Sequence, residues 1–225
     1  MNAPVVVVRS AMRSWGGAAT VGPVDLTVAP GERIALMGPN GAGKSTLLRM
    51  VASLLLPTSG SVSVARSPAG SLPARAALSY LPDHPVLYDD LSLWEQCEYV
   101  ARLHAVDDWE SLAGGLLSRI GLIDRADDLP TTYSRGMRAK AATALALVRP
   151  FRVLVADEPL QGLDLGSQEV VIDLFEERAA HGAALLVATH GLEHLAGFDR
   201  LVTIVDGAIT YDGPVDETRA RETVG

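Results

Sequence analysis

Gly38-Pro39-Asn40-Gly41-Ala42-Gly43-Lys44-Ser45-Thr46 fit the spacing G-x-x-x-x-G-K-[ST]. These residue types at this spacing suit one task, the holding of a polyphosphate. Glycines let the backbone wrap closely round an anion. The N–H groups of the loop, and of a helix that follows it, then face that anion. Lys44 supplies a point charge for the β- and γ-phosphates, and the Ser45 hydroxyl is placed to ligate Mg2+. The apolar run Arg33–Met37 before the loop reads as a short buried strand, and Leu47–Val51 after it reads as a helix. That context separates the motif from a glycine-rich turn with a chance Lys-Ser.

A second chemical group closes another apolar strand, Phe151–Ala156, which ends in Asp157-Glu158-Pro159. Alone, two such carboxylates suit a solvated strand end equally well. Behind a phosphate loop they suit metal and water: the first carboxylate holds Mg2+ and the second polarises the attacking water.

The elements that must position these groups alternate. Val5–Val8, Val24–Val28 and Arg33–Met37 read as strands separated by Gly and Pro turns. A helix runs from the phosphate loop to about Leu56, where Pro57-Thr58-Ser59-Gly60 breaks it, and Ser61–Val64 alternates as a strand. The character then changes. Leu91–Val106 has helical spacing, with Ser92 and Glu95 as a capping box. Trp109–Ile120 is a second helix ended by Gly121, and Ser134–Val148 a third. Residues 85–148 therefore read as a helical subdomain inserted in one α/β domain of residues 1–225. Alternation resumes with strand Val153–Ala156, helix Ser167–Ala180, strand Ala184–Ala188 and a final pair, Leu201–Val205 and Ala208–Tyr211, round Asp206-Gly207.

Bulk properties exclude several classes. With 225 residues, 48% hydrophobic and 20% charged, the chain has an ordinary globular composition. No apolar stretch approaches the roughly 18 residues of a membrane span. The N-terminal MNAPVVVVRS lacks the pattern of a leader peptide. A net charge of −8 argues against nucleic acid as a partner. The single Cys97 has no internal partner and suits a reducing compartment, as a small apolar helix residue.

Tyr133-Ser134-Arg135-Gly136-Met137 resembles the signature motif of ATP-binding-cassette (ABC) proteins, usually written LSGGQ. With the phosphate loop before it and the Asp-Glu strand after it, the chain is similar to the nucleotide-binding subunit of an ABC transporter over residues 4–215. The resemblance implies an α/β P-loop core of the ABC type, with an N-terminal antiparallel β portion and an inserted helical subdomain. It assigns Trp15 to stacking on adenine and Gly38–Thr46 to the phosphates. It assigns Ser45 and Asp157 to Mg2+, Glu158 to the catalytic base, and Lys44 and His190 to catalysis at the γ-phosphate. Thr189-His190 follows the strand Ala184–Ala188, at the sheet edge where ligands bind in such folds. Leu160-Gln161-Gly162-Leu163-Asp164 resembles the D-loop, with Asp164 at its acidic position. His84, His104, His181 and His194 match no motif and read as surface residues.

Three departures from the family pattern stand out. Asp83, after Ser79-Tyr80-Leu81-Pro82, occupies the place of the Q-loop glutamine. It can still ligate Mg2+ or orient water, so it joins the catalytic and metal candidates. Arg135 and Met137 replace Gly and Gln of the signature, while Ser134 and Gly136 are kept. Gln161-Gly162 replaces a small pair in the D-loop.

By resemblance, two ATP and Mg2+ would lie between two head-to-tail subunits, identical or not, with Ser134 and Gly136 of one closing over the phosphate loop of the other. The expected setting is the cytoplasmic face of a membrane, bound peripherally to an integral transport subunit on a separate chain. The helical insert and the 83–91 loop form the expected docking surface. The signature wording and the Leu-Pro-Asp loop resemble type-2 export systems. Two other readings stay open: an ABC ATPase acting on nucleic acid or the ribosome, which one compact acidic cassette argues against, and a non-hydrolysing cassette, which Glu158 and His190 argue against.

Overall fold

The computed structural model describes residues 3–16 and 18–224; the side chains at 18–20, 192–194 and 224 lie outside that description. Gly17, half of the turn after Trp15, and the side chain of His194 are therefore outside the described residues.

Two compact units emerge, one of residues 1–80, 151–158 and 178–225, the other of residues 81–150 and 159–177. In the first, β1 (Val6–Trp15), β2 (Ala18–Val28), β4 (Ser59–Val64) and β5 (Ser67–Pro68) form an antiparallel sheet of order β2-β1-β4-β5. A second sheet adds β3 (Arg33–Met37), β6 (Leu78–Leu81), β7 (Val153–Asp157), β8 (Ala184–Ala188), β9 (Arg200–Val205) and β10 (Ala208–Gly213), in the order β10-β9-β3-β8-β7-β6. Strands β9, β3, β8 and β7 run parallel, so their C-terminal ends share one edge. They read as continuous apolar runs because both faces are covered: every residue of β7 and β8 is buried. The hairpin β9–β10 turns at Asp206 and Gly207, both at positive φ. Helix α1 (Lys44–Val51) packs its apolar side into this core, alongside Ile34, Leu36, Val155 and Leu186. A short α2 (Leu72–Ala76) starts at Ser71, whose hydroxyl accepts from Ala74 N.

The other unit is helical. Its helix α3 (Leu93–Leu103) opens with the full capping box of Ser92 and Glu95. Helices α4 (Trp109–Arg119) and α5 (Arg135–Leu147) pack with it. Trp94 and Trp109 lie 5.2 Å apart at their core. Helix α6 (Leu165–Ala180) starts in this unit. A final α7 (Glu217–Val224) buries Ala220 beside Met37 and Leu201 in the first unit.

Helix α1 stops at Val51, short of the expected Leu56. Ser53 adopts φ 64°, and the amides of Leu54 and Leu55 both turn back to the Arg49 carbonyl, so the chain leaves the helix before Pro57.

Candidate functional site

The phosphate loop joins β3 to α1. Gly38 lies where a Cβ would stand 2.1 Å from the Ile204 carbonyl oxygen, so glycine is required there by close approach. Gly41 and Gly43 have φ 82° and 107°, left-handed conformations that glycine adopts freely, and α1 starts at Lys44. Gly43 gives that helix no side-chain cap, so its first N–H groups stay available to an anion. Pro39, Asn40 and Gly41 are exposed, Ala42 and Gly43 buried, and Ser45 and Thr46 half-buried in the first turn of α1.

Lys44 is 7% exposed. Its ammonium donates to the carbonyls of Gly38 at 2.6 Å and Pro39 at 3.2 Å. Burial pushes its pKa below the ordinary lysine value, and the carboxylates of Glu158 and Asp157 oppose that only in part.

Asp157 ends β7 and is 3% exposed. Glu158 follows at φ 50°, a left-handed backbone pinned by its N–H to the Ala188 carbonyl at 3.0 Å. One carboxylate oxygen of Glu158 then lies 3.0 Å from His190 Nε2, just beyond β8. Burial first, and the Lys44 ammonium second, push the His190 pKa below its ordinary value, against a pull from Asp157. At neutral pH the contact is therefore one between a neutral imidazole and the Glu158 carboxyl group. Lys44, Asp157, Glu158 and His190 are brought together at the C-terminal edge of the parallel sheet.

Ser45 and Asp157 present hard oxygen donors, one hydroxyl and one buried carboxylate. That set suits Mg2+, which takes one or two protein oxygens and completes its shell from phosphates and water. Trp15 ends β1 and is 49% exposed, with its indole available at the surface.

The remaining candidates belong to the helical unit. Asp83 Oδ2 lies 2.8 Å from His84 Nδ1, and Asp83 Oδ1 is covered with no hydrogen-bond partner among the described residues. Ser134 is the exposed N-cap of α5, its hydroxyl accepting from Met137 N at 3.2 Å. Asp164 accepts from Ser167 N at 2.9 Å and from the Ser167 hydroxyl at 3.0 Å. Those bonds hold its carboxyl below the usual carboxylate range.

The signature and D-loop departures meet. Arg135 Nη2 donates to Gln161 Oε1 at 2.5 Å. Gly162, at φ 78°, leaves the space: a Cβ there would stand 3.1 Å from Arg135 Nε. Gly136 is equally confined, its Cβ position 3.3 Å from the Gly162 carbonyl oxygen. Among the other histidines, His84 and His181 are exposed and His104 is half-buried.

Residues 21–161 match the family model described as ABC transporter. The chain is 32% identical over 223 residues to the aliphatic sulfonates import ATP-binding protein SsuB of Pseudomonas fluorescens (strain Pf0-1), covering 96% of this chain and 79% of that protein. It is 32% identical over 225 residues to the macrolide export ATP-binding/permease protein MacB of Rhodopseudomonas palustris (strain BisB18), covering 94% of this chain but only 34% of MacB. The solved structure of an ATP binding subunit of an ABC transporter superposes with a TM-score of 0.90 at 28% identity, covering 97% of this chain and 93% of that one. The loop, the paired carboxylates, the histidine and these similarities agree: the chain belongs to the ABC transporter family, as an ATP-binding subunit of its ATPase type.

Proposed function

We propose that this chain binds Mg2+ and ATP in the Gly38–Thr46 loop, hydrolyses ATP as one half of a head-to-tail pair, and drives a membrane transport subunit on a separate polypeptide. The observation that carries the reading is the Glu158–His190 contact of 3.0 Å beside a desolvated Lys44. Among the described residues no helix is long and apolar enough to cross a membrane. The 79% coverage of SsuB, named as an ATP-binding protein, supports a transport subunit on a separate polypeptide.

Each residue has a task. The loop amides and Lys44 neutralise phosphate charge in a desolvated cradle, where such interactions act most strongly. Glu158 orients the attacking water and accepts its proton. His190, kept neutral, donates its one imidazole N–H towards the γ-phosphate from its place beside Glu158. Trp15 stacks on adenine. Mg2+, when bound by Ser45 and Asp157, offsets charge on the phosphoryl oxygens. Ser134 and Gly136 of a second copy close over the nucleotide, and Asp164 orders the D-loop beside them. Asp83 takes the Q-loop role: its covered, unpartnered oxygen is free for metal or water.

Of the two relatives, one is named for import and the other for export. The Tyr133–Met137 wording and the Leu-Pro-Asp loop support export, and uptake by inside-out vesicles of the assembled transporter checks that direction. The central test is Glu158→Gln. It should keep ATP affinity, lower turnover by about 100-fold or more, and trap an ATP-dependent dimer visible by light scattering. Wild-type turnover in that variant would remove Glu158 from the chemistry. For the Q-loop role, Asp83→Ala should depress partner-stimulated ATPase activity with the melting temperature unchanged, and Asp83→Gln should be tolerated.

A further inference from the structure

Arg13 and Trp15 are two residues apart on β1 and so share one face of the strand. The guanidinium carbon of Arg13 stands 5.0 Å from the centroid of the Trp15 indole. Arg13 Nη1 donates to the Leu56 carbonyl at 3.0 Å. Its Nε is buried and has no hydrogen-bond partner among the described residues. The electron-rich group that faces this cation is the indole, whose π face attracts it.

Trp15 is nonetheless 49% exposed, so the guanidinium leaves indole surface open to a ligand.

We propose that Arg13 is a positioning residue for nucleotide binding: it backs the Trp15 ring, fixes its orientation and presents the open indole surface to the adenine base. An indole already held in its bound rotamer loses less conformational freedom when the base stacks on it. The gain appears in base recognition and not in phosphate recognition. The proposal rests on the assignment of Trp15 to adenine made above.

Titration calorimetry of the purified chain tests both levels, with Mg2+-ADP as one probe and inorganic tripolyphosphate as a second that lacks the base. Trp15→Ala should weaken ADP by about fivefold or more. Arg13→Gln keeps a donor towards Leu56 but removes the cation, and it should weaken ADP by about two- to fivefold. Arg13→Lys, with a cation still in reach of the ring, should recover part of that loss. In a Trp15→Ala background Arg13→Gln should add nothing, and neither change should alter tripolyphosphate binding. Full affinity in Trp15→Ala would overturn the base assignment itself. With that assignment intact, unchanged or tighter ADP binding in Arg13→Gln would overturn the backing role. A loss that persisted without Trp15, or that extended to tripolyphosphate, would do the same, because Arg13 would then act on the nucleotide directly.

Discussion

Lys44 and Asp157 are 7% and 3% exposed at the edge of a parallel sheet whose strands are buried on both faces. Ser134 and Asp164 stand exposed at the starts of two helices. The first pair is set by the surrounding fold: burial lowers the pKa of Lys44, and of the neighbouring His190, before any ligand arrives. The second pair uses its hydrogen bonds to cap its own helices and offers its remaining capacity outward. On the function proposed above, one unit holds a preformed site, and the other holds out groups for a site that a second copy would complete. Substitutions in the first should therefore change nucleotide binding by the chain alone, and substitutions in the second should change function only when a second copy binds.

The sharpest break comes from Lys44→Ala. It removes the charge aimed at the phosphates, so ATP affinity of the isolated chain should fall by about 100-fold. Because the buried ammonium is a desolvated cation, Lys44→Met should leave the melting temperature of the nucleotide-free chain unchanged or raised. A Lys44→Ala chain that still bound ATP tightly would show that the buried unit is not the primary nucleotide site.

Acid should separate the units next. The depressed pKa of His190 lies below its ordinary value of 6.5, so the imidazole stays neutral down to and somewhat below that pH. Turnover should hold on the alkaline side of 6.5 and fall as pH drops through the folded-state pKa. The stability linkage has the same sign. Below 6.5 the unfolded chain binds the proton first, so the contribution of His190 is complete above that pH and is lost on acidification. His190→Gln should lower turnover and remove this acid limb from the pH profile of what remains. A limb unchanged in His190→Gln would assign the titration to another group.

The smallest expected effect is that of Ser134→Ala. Loss of the α5 cap should lower stability by about 1 kcal/mol, read as a shift in a denaturant midpoint. ATP binding by the isolated chain should be unchanged, while ATP-dependent dimerisation of the Glu158→Gln background should weaken. Equal dimerisation with and without the Ser134 hydroxyl would reduce Ser134 to a cap and dissolve the contrast between the units.

What was legible in the sequence follows from how local the determinants are. The phosphate loop, the Asp-Glu strand and the Ser92–Glu95 box each lie within a few residues, and their types suffice. Helix α1 was overextended because Leu54 and Leu56 are apolar yet 63% and 61% exposed, so hydrophobicity there marks no buried stripe. Helix α7 was missed because among its described side chains only Ala220 is buried, which leaves no periodicity to read. Helix α2 is five residues long with Pro73 in its first turn, and β6 has only four residues. Both are too short to show a repeat. In the site, the partner of Arg13 at Leu56 and that of Arg135 at Gln161 are set by chain folding, and no spacing rule links them.

The Arg135–Gln161–Gly162 contact has a consequence for building hybrids of this chain. These three positions form one exchangeable module, because the guanidinium of the first fills the space that the third leaves open while bonding the second. Grafting a Gly-Gly signature from a relative would leave Gln161 without its donor, and grafting only a relative's D-loop with a side chain at 162 would strain the backbone at φ 78° and push Arg135 aside. A functional chimera should carry residues 134–137 and 160–164 from the same parent.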